Sequence, residues 1–300
     1  MVTLYNPEDM KFKELRVHYP LLYGFINVQP FVPFEINKDE IKIKLTDNKL
    51  FFTVLDGFNV SIESNTRRKI DMIKRMFKLK SKFFVCISPH SGNPVDYKVY
   101  KNFLIKFENI MSFITEKPFY ASYIQGKDSD GEWNNIGTPV IAGKVMSSGP
   151  ESFRIKFSDI ISEFHDILLN AIDSSFQHVL GFYVDHLYNT HKSFEEEFLS
   201  YVNGLEAYHK IYFNGEVSLK TRLKELKDYS DMNVTPRELD RIVKIRNYLS
   251  HGKIEQDHTN ELNYLQIDFE LLYKSRNFLK RCLLKKLDFR NDEIEALWSI

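Results

Sequence analysis

The sequence has little cysteine and no long apolar segment. Cys86 and Cys282 are the two cysteines in its 300 residues, too few and too far apart for a disulfide framework. No apolar run approaches the roughly 20 residues that span a bilayer. The amino terminus also lacks the apolar core of a signal peptide. These absences predict a cytoplasmic protein in a reducing compartment, with no membrane as partner.

Net charge is absent as well, because 41 lysines and arginines balance 41 aspartates and glutamates. A protein that held nucleic acid through its overall field would be basic. Any nucleic-acid contact must therefore come from a local basic patch. The hydrophobic share of 43% and charged share of 27% are otherwise typical of a globular protein with a sizeable core.

The period of the apolar residues changes once along the chain. Residues 1–152 carry most of the period-two alternation, as at Ile41, Ile43 and Leu45, which predicts strands. Residues 153–300 follow a period near 3.6, which predicts helices that form a bundle. We therefore predict an α+β protein, with a strand-rich α/β module before an all-α helical bundle.

Local signals place several elements in the first half. Asp56-Gly57 stands between two apolar runs, and this pair favours the type I′ turn of a hairpin. The basic stretch 66–77 has roughly helical spacing, and residues 82–88 predict a buried strand. Asn93-Pro94 is typical of a helix start, and that helix is expected to stop at Lys117-Pro118.

An aspartate-rich loop lies between predicted strands at 120–125 and 139–145. Asp128–Gly131 resembles part of a calcium-binding loop, but the first ligand would fall on Gly126, which has no side chain. We therefore predict a solvated hairpin tip here, with no metal.

The second half predicts a series of helices. Ser158-Asp159 can cap one helix, and Ser193 can cap another with three glutamates in its first turn. A short helix around Leu219–Leu226 places Arg222 away from its apolar stripe. The last long helix has a seven-residue apolar repeat that includes Phe269.

One helix of this half has well-defined ends. Thr235–Glu238 is a capping box with proline at the first helical position, and Gly252 suits the position after the helix. Arg246 falls in the middle of the apolar face, where an unpaired guanidinium would be costly. The ordinary explanation is an ion pair within the bundle, for which Glu206 or Glu270 could serve.

Arg246 and His251 could carry acid–base chemistry if they met. On an ideal helix the two positions are about 140° apart, so they cannot meet on one cylinder. Either the helix unwinds at Ser250–Gly252, or a second copy of the helix completes the site across a two-fold axis. In both arrangements His251 ends the helix, where the dipole favours an imidazolium.

Three segments resemble a known family. Arg246–Gly252 (RNYLSHG) resembles the R-x4–6-H signature of HEPN domains, in the form with a polar residue after the arginine. Phe194–Lys210 is similar to the helix before that motif in ApeA-like HEPN proteins. Leu104–Phe119 looks like the end of the ApeA N-terminal domain, although the chain is short for such a protein.

The resemblance implies a metal-independent, dimeric endoribonuclease that needs no cofactor. It implies an abortive-infection or toxin-type effector against phage that cleaves tRNA, under a phage-derived trigger or a regulatory partner. Arg246 and His251 match the catalytic pair, and Asn247 matches the polar neighbour. Some HEPN proteins carry a regulatory tyrosine two residues after the histidine, where this chain has Lys253, so that control is not expected.

RNA binding requires a basic patch beside the motif. Arg241, Lys244 and Tyr248 share the polar stripe of the motif helix, and we predict that they contact the substrate. The basic residues of the segment from Lys220 to Lys227 would extend the same patch.

Two other function classes compete with the ribonuclease. In one, the helical half is a non-catalytic HEPN-like module that only dimerises, while the strand-rich half recognises a ligand. The other is a metal-dependent hydrolase, which the sequence disfavours. The nine histidines include no H-E-x-x-H pair, and His186 and His191 are spaced wrongly for one helix face.

Overall fold

A computed structural model gives the fold as mixed α+β, with ten strands and ten helices in the described residues. Described are residues 10–26, 31–36, 41–45, 49–71, 76–137, 155–213, 215–251 and 267–298, with backbone alone for 31–36, 41–45, 49, 66–71, 76–81, 137, 251 and 298. The predicted division, strands first and helices after, is confirmed at this level.

The chain forms two compact units. One comprises Met1–Glu108 and Phe119–Leu168, and the other comprises Asn109–Pro118 and Leu169–Ile300. The predicted domain boundary between residues 152 and 153 lies outside the described residues. None of the helices in the described ranges is both long and apolar enough to cross a membrane.

The first unit is built on antiparallel sheets. The strands are β1 (Lys11–Phe12), β2 (Glu14–His18), β3 (Phe31–Ile36), β4 (Ile41–Leu45), β5 (Lys49–Leu55), β6 (Phe58–Asp71), β7 (Met76–Pro89), β8 (Val95–Asp96), β9 (Tyr123–Lys127) and β10 (Trp133–Gly137). The main sheet has six strands in the order β10-β9-β2-β7-β6-β5, and β1 pairs with β8 while β3 pairs with β4.

The Asp56-Gly57 hairpin is confirmed, because both residues have positive φ, +49° and +79°, between β5 and β6. The helical spacing noted at 66–77 does not give a helix in the described residues of that stretch, 66–71 and 76–77, which are strand. β6 continues to Asp71 and pairs in unbroken register with β7 from Met76. Ladder hydrogen bonds along the paired strands satisfy the backbone more completely than a short helix of about three turns with a weak apolar stripe would.

The helix predicted from Asn93-Pro94 begins later, at Tyr97. Val95 and Asp96 instead pair with Phe12 and Lys11 as a short strand, so the prediction of its start was wrong. The helix α2 (Tyr97–Thr115) ends near the predicted stop. Its Tyr100, Phe103 and Phe107 are buried in the core of the first unit.

The aspartate-rich loop is the tip of the β9–β10 hairpin, as predicted. One Asp128 carboxylate oxygen accepts from the backbone N–H groups of Asp130 and Glu132, and the other accepts from Asn134 Nδ2. Hydrogen bonds from the Glu132 backbone and other loop groups hold the pKa of Asp128 below its usual range. The second predicted strand, 139–145, lies outside the described residues.

Five helices of the second unit pack against one another: α5 (Ser174–Tyr188), α6 (Phe194–Tyr212), α7 (Leu219–Ser230), α8 (Pro236–His251) and α9 (Phe269–Lys286). Their apolar stripes meet in a core rich in tyrosine and leucine, including Tyr183, Tyr201, Leu205, Tyr208 and Leu279. The other helices in the described residues, besides α2, are α1 (Leu22–Ile26), α3 (Phe157–Ile160), α4 (Phe164–Ala171) and α10 (Asn291–Trp298).

Helix ends were predicted well where capping is local. Ser193 caps α6 as expected, and the structure shows that Glu196 completes a capping box there. The prediction that Ser158-Asp159 caps a helix is wrong, because both residues lie inside the short helix Phe157–Ile160, whose N-cap is Lys156. Turn residues separate it from a second short helix, Phe164–Ala171. Phe269, predicted to be in the core, is 71% exposed at the first position of α9.

Candidate active site

The motif helix α8 begins as the sequence predicts. The Thr235 N–H donates to Glu238 Oε2 at 2.7 Å, and the Glu238 N–H donates to Thr235 Oγ1 at 3.3 Å. Glu238 also accepts from Lys274 Nζ at 2.5 Å, which joins the start of α8 to α9. Ile242 and Ile245 are buried below this start, so the apolar face is anchored in the core.

Arg246 lies between α8 and α6, where it is half-buried and paired. Its Nη2 donates to Glu206 Oε2 at 2.8 Å, and the two side chains are 21% and 18% exposed. Of the two partners considered from the sequence, Glu206 is the one observed. Glu270 instead pairs with Lys274 on its own helix at 2.9 Å.

Glu206 binds two further cations through its other oxygen. Arg222 Nη1 lies 2.9 Å from Oε1 and Lys210 Nζ lies 3.2 Å from it. Burial would raise the pKa of Glu206, but the Lys210 hydrogen bond and the charges of Arg246, Lys210 and Arg222 outweigh burial and lower it. We call Glu206, Lys210, Arg222 and Arg246 the Glu206 cluster; it has an excess of two positive charges.

Arg222 and Lys210 were not predicted members of this site. Arg222 was expected on a solvent-facing side of α7. It is only 8% exposed, because its ion pair with Glu206 holds the side chain between α6 and α7. The i,i+4 spacing of Glu206 and Lys210 was a usable signal for their ion pair. No local pattern indicates the contact of Arg222 with a helix earlier in the chain.

Asn247 is exposed beside Arg246, and its Oδ1 accepts from Arg246 Nη1 at 3.5 Å. Lys244 is exposed on the same helix, and Tyr248 is half-buried. Arg241 donates from Nη1 to Asp268 Oδ2 at 2.9 Å, next to the start of α9. RNA contacts by Arg241, Lys244 and Tyr248 stay predictions.

His251 is the last residue of α8, and its side chain lies outside the described residues, as do Gly252 and Lys253. The helix includes Ser250 and His251, so unwinding at these two positions, one of the two arrangements expected, is wrong. Arg246 and His251 therefore occupy positions about 140° apart around one continuous helix.

Two clefts border the Glu206 cluster. A cleft of about 390 Å³ is lined by Glu206 and Lys210 together with His178, Phe182 and Asn203. A second cleft, of about 730 Å³, is lined by Lys210, Phe213, Gly215, Glu216, Val217 and Arg222. The cluster can therefore be approached from both sides of Lys210.

A buried histidine lies next to the cluster without belonging to it. His209 is 0% exposed; its Nε2 is 2.6 Å from Glu225 Oε2, and its ring stacks on Phe213. This contact joins α6 to α7 beside the Glu206–Arg222 pair, so both helices are fixed where the cluster forms.

The described residues contain no group of three or more histidine, cysteine, aspartate or glutamate side chains arranged to hold a metal ion. The groups that the site offers for chemistry are the guanidinium of Arg246 and the amide of Asn247, with a histidine at position 251 of the same helix. In comparisons with known proteins, no family model, no curated protein and no solved structure matches this chain.

Proposed function

We propose that the protein is a metal-independent endoribonuclease whose helical unit is a HEPN-type bundle. The observation that carries the proposal is the placement of Arg246. A half-buried guanidinium, paired with Glu206 and bordered by exposed Asn247, stands five positions before a histidine that closes the same helix. That placement suits a group that stabilises negative charge on a phosphodiester.

The reaction needs no metal because RNA supplies its own nucleophile. The 2′-OH attacks the adjacent phosphorus, its proton passes to a histidine acting as base, and the bond to the 5′-oxygen breaks. A protonated histidine gives its proton to the departing 5′-oxygen. Arg246 stabilises the charge on the non-bridging oxygens, and Asn247 orients a phosphate oxygen or the imidazole. The products are a 2′,3′-cyclic phosphate and a 5′-OH.

Two copies of the chain would supply the full set of groups. Because α8 continues through His251, the positions of Arg246 and His251 are about 140° apart around the helix, which favours a site completed by a second copy. A two-fold axis beside the end of α8 brings His251 of one copy towards Arg246 of the other, where this histidine takes up the 2′-OH proton and gives a proton to the 5′-oxygen. We therefore propose a homodimer formed through the helical units.

The proposed substrate is tRNA, and the proposed role is abortive-infection or toxin-type defence in the cytoplasm. Both rest on the resemblance of Arg246–Gly252 and Phe194–Lys210 to ApeA-like HEPN proteins. In this proposal the strand-rich unit responds to a phage-derived trigger or a regulatory partner. Arg241, Lys244 and Tyr248 guide the RNA.

A non-catalytic dimerisation and binding module is the second candidate. The observation that favours it is the same ion pair, since Arg246 and Glu206 join α8 to α6 as a structural pair would. Under this candidate, replacement of Arg246 lowers stability and changes no reaction.

The test is cleavage of total tRNA in EDTA by the purified protein, beside His251→Ala and Arg246→Ala. The proposal expects cleavage by the wild type alone, with products that carry a cyclic phosphate. DNA, which lacks the 2′-OH, should remain intact. Equal cleavage by all three proteins, or cleavage by none, would contradict the proposal.

A further inference from the structure

The Glu206 cluster has more positive charge than its own ion pairs require. One carboxylate serves three cations, with Arg222 and Lys210 on Oε1 and Arg246 on Oε2. The whole chain has no net charge, so this excess is local. A site with two uncompensated positive charges attracts an anion.

Unused donors lie in the same cluster. The Nε atoms of Arg222 and Arg246 are buried and have no hydrogen-bond partner in the described residues. Arg222 is 8% exposed, yet it lines the cleft of about 730 Å³ together with Lys210. A buried guanidinium N–H without a partner is costly. Of the two arginines, Arg222 lines the cleft, so its guanidinium is the one suited to a ligand there that brings acceptor oxygens.

We propose that Arg222 and Lys210 form a second phosphate-binding subsite, which holds the phosphodiester next to the one at Arg246. The inference rests on the proposed ribonuclease function and deepens it. Arg222 and Arg246 bind the two oxygens of one carboxylate, so a single nucleic-acid backbone can reach both. The Arg222 guanidinium would donate hydrogen bonds to the oxygens of this phosphate, and Lys210 would add a point charge.

The one acidic residue that lines this cleft in the described part of the chain does not abolish the attraction of the subsite for phosphate. Glu216 lies on the cleft lining but is exposed, so solvent screens its charge. Lys210 is 56% exposed and can turn from Glu206 towards a phosphate at little cost. Arg222 is the fixed part of the subsite and Lys210 is the adaptable part.

The test measures binding of a short single-stranded 2′-deoxy oligonucleotide, which the proposed chemistry does not cleave, at several salt concentrations. Each phosphate contact contributes about 0.7 to the slope of log affinity against log salt for single strands. The slope should fall by about 0.7 in Lys210→Gln and in Arg222→Gln. Lys98→Gln, which removes the same charge from an exposed position of the first unit, should leave the slope unchanged.

Lys210→Gln decides the result if Arg222→Gln fails to fold, because Lys210 is at the surface. An unchanged slope in Lys210→Gln, an equal fall in Lys98→Gln, or no binding by the wild type would overturn the subsite. Failure of the ribonuclease proposal is distinguishable: tRNA would remain uncut in EDTA while the slopes still fall. Cleaved tRNA with unchanged slopes would leave the ribonuclease intact and remove the subsite.

Discussion

Arg246 donates from Nη2 to Glu206 Oε2 at 2.8 Å, a bond that fixes α8 against α6. The same bond joins the arginine of the motif to Glu206, which lines one of the two clefts, and Arg246 also contacts exposed Asn247. An ion pair of this kind serves packing, and it also pre-orients a guanidinium for a phosphate. Stability and activity measurements on the two residues separate these roles.

Glu206→Gln should destabilise the protein because three cations lose their shared carboxylate. We expect the free energy of unfolding to fall by about 2 kcal/mol in urea titrations. Glu270→Gln is the matched control. That glutamate is 76% exposed and pairs only along its own helix in the described residues, so its replacement should cost less than about 0.5 kcal/mol. Equal losses of unfolding free energy in the two variants would show that the Glu206 cluster stabilises the protein no more than an exposed ion pair does.

Arg246→Lys tests the role of the guanidinium in the reaction. Lysine retains the charge and can still pair with Glu206, so the folded state should persist. It cannot bind a phosphate through two parallel N–H groups, and we expect the rate of tRNA cleavage to fall at least about 100-fold. A rate near that of the wild type would mean that Arg246 supplies charge alone.

Packing between α6 and its neighbours can be tested at two glycines. A Cβ at Gly204 would lie 2.6 Å from Leu279 Cδ2 and 3.0 Å from Phe182 Cβ, whereas a Cβ at Gly181 meets nothing within 4 Å. Gly204→Ala should therefore lower the free energy of unfolding by about 1–2 kcal/mol. Gly181→Ala, within α5, should raise it by about 0.5–1 kcal/mol. The reverse order would contradict the packing described for α6.

The sequence predicts those parts of the fold that depend on near neighbours. The Asp56-Gly57 turn, the Ser193 cap of α6 and the capping box of α8 were predicted because each depends on residues within one turn. The apolar stripes of the helices likewise indicated the core. Arg246 on an apolar face required a partner, and Glu206 was one of the two proposed.

The features that depend on distant partners could not be predicted. Segment 66–77 has helical spacing, but pairing with β7 makes its described residues strand. Asn93-Pro94 has the chemistry of a helix start, but Val95 and Asp96 pair with β1 first. Arg222 belongs to the Glu206 cluster because α7 packs on α6, and no spacing within α7 indicates this.

The stability of the helical unit should depend on pH through His186. Burial, with the charge of Arg276, lowers the pKa of His186 to about 4 from 6.5. Between these values the unfolded chain binds a proton that the folded state does not, so stability falls as pH is lowered from 6.5 towards 4.

The loss between about pH 7 and pH 5.5 should be about 1 kcal/mol from this residue. His186→Phe retains the ring contacts with Tyr183 and Tyr201 but cannot titrate. In urea unfolding at both pH values, the variant should lose about 1 kcal/mol less than the wild type does. An unchanged pH dependence would mean that His186 protonates normally in the folded protein.

The central claim is that Arg246 of one copy and His251 of another form one ribonuclease site. The most direct measurement is the cleavage of tRNA in EDTA by a mixture of two inactive proteins, Arg246→Ala and His251→Ala, after exchange of their subunits. The mixed dimer holds an intact Arg246 in one copy and an intact His251 in the other, so the mixture should regain an activity that neither parent has. A mixture as inactive as its parents, despite proven subunit exchange, would contradict the shared site.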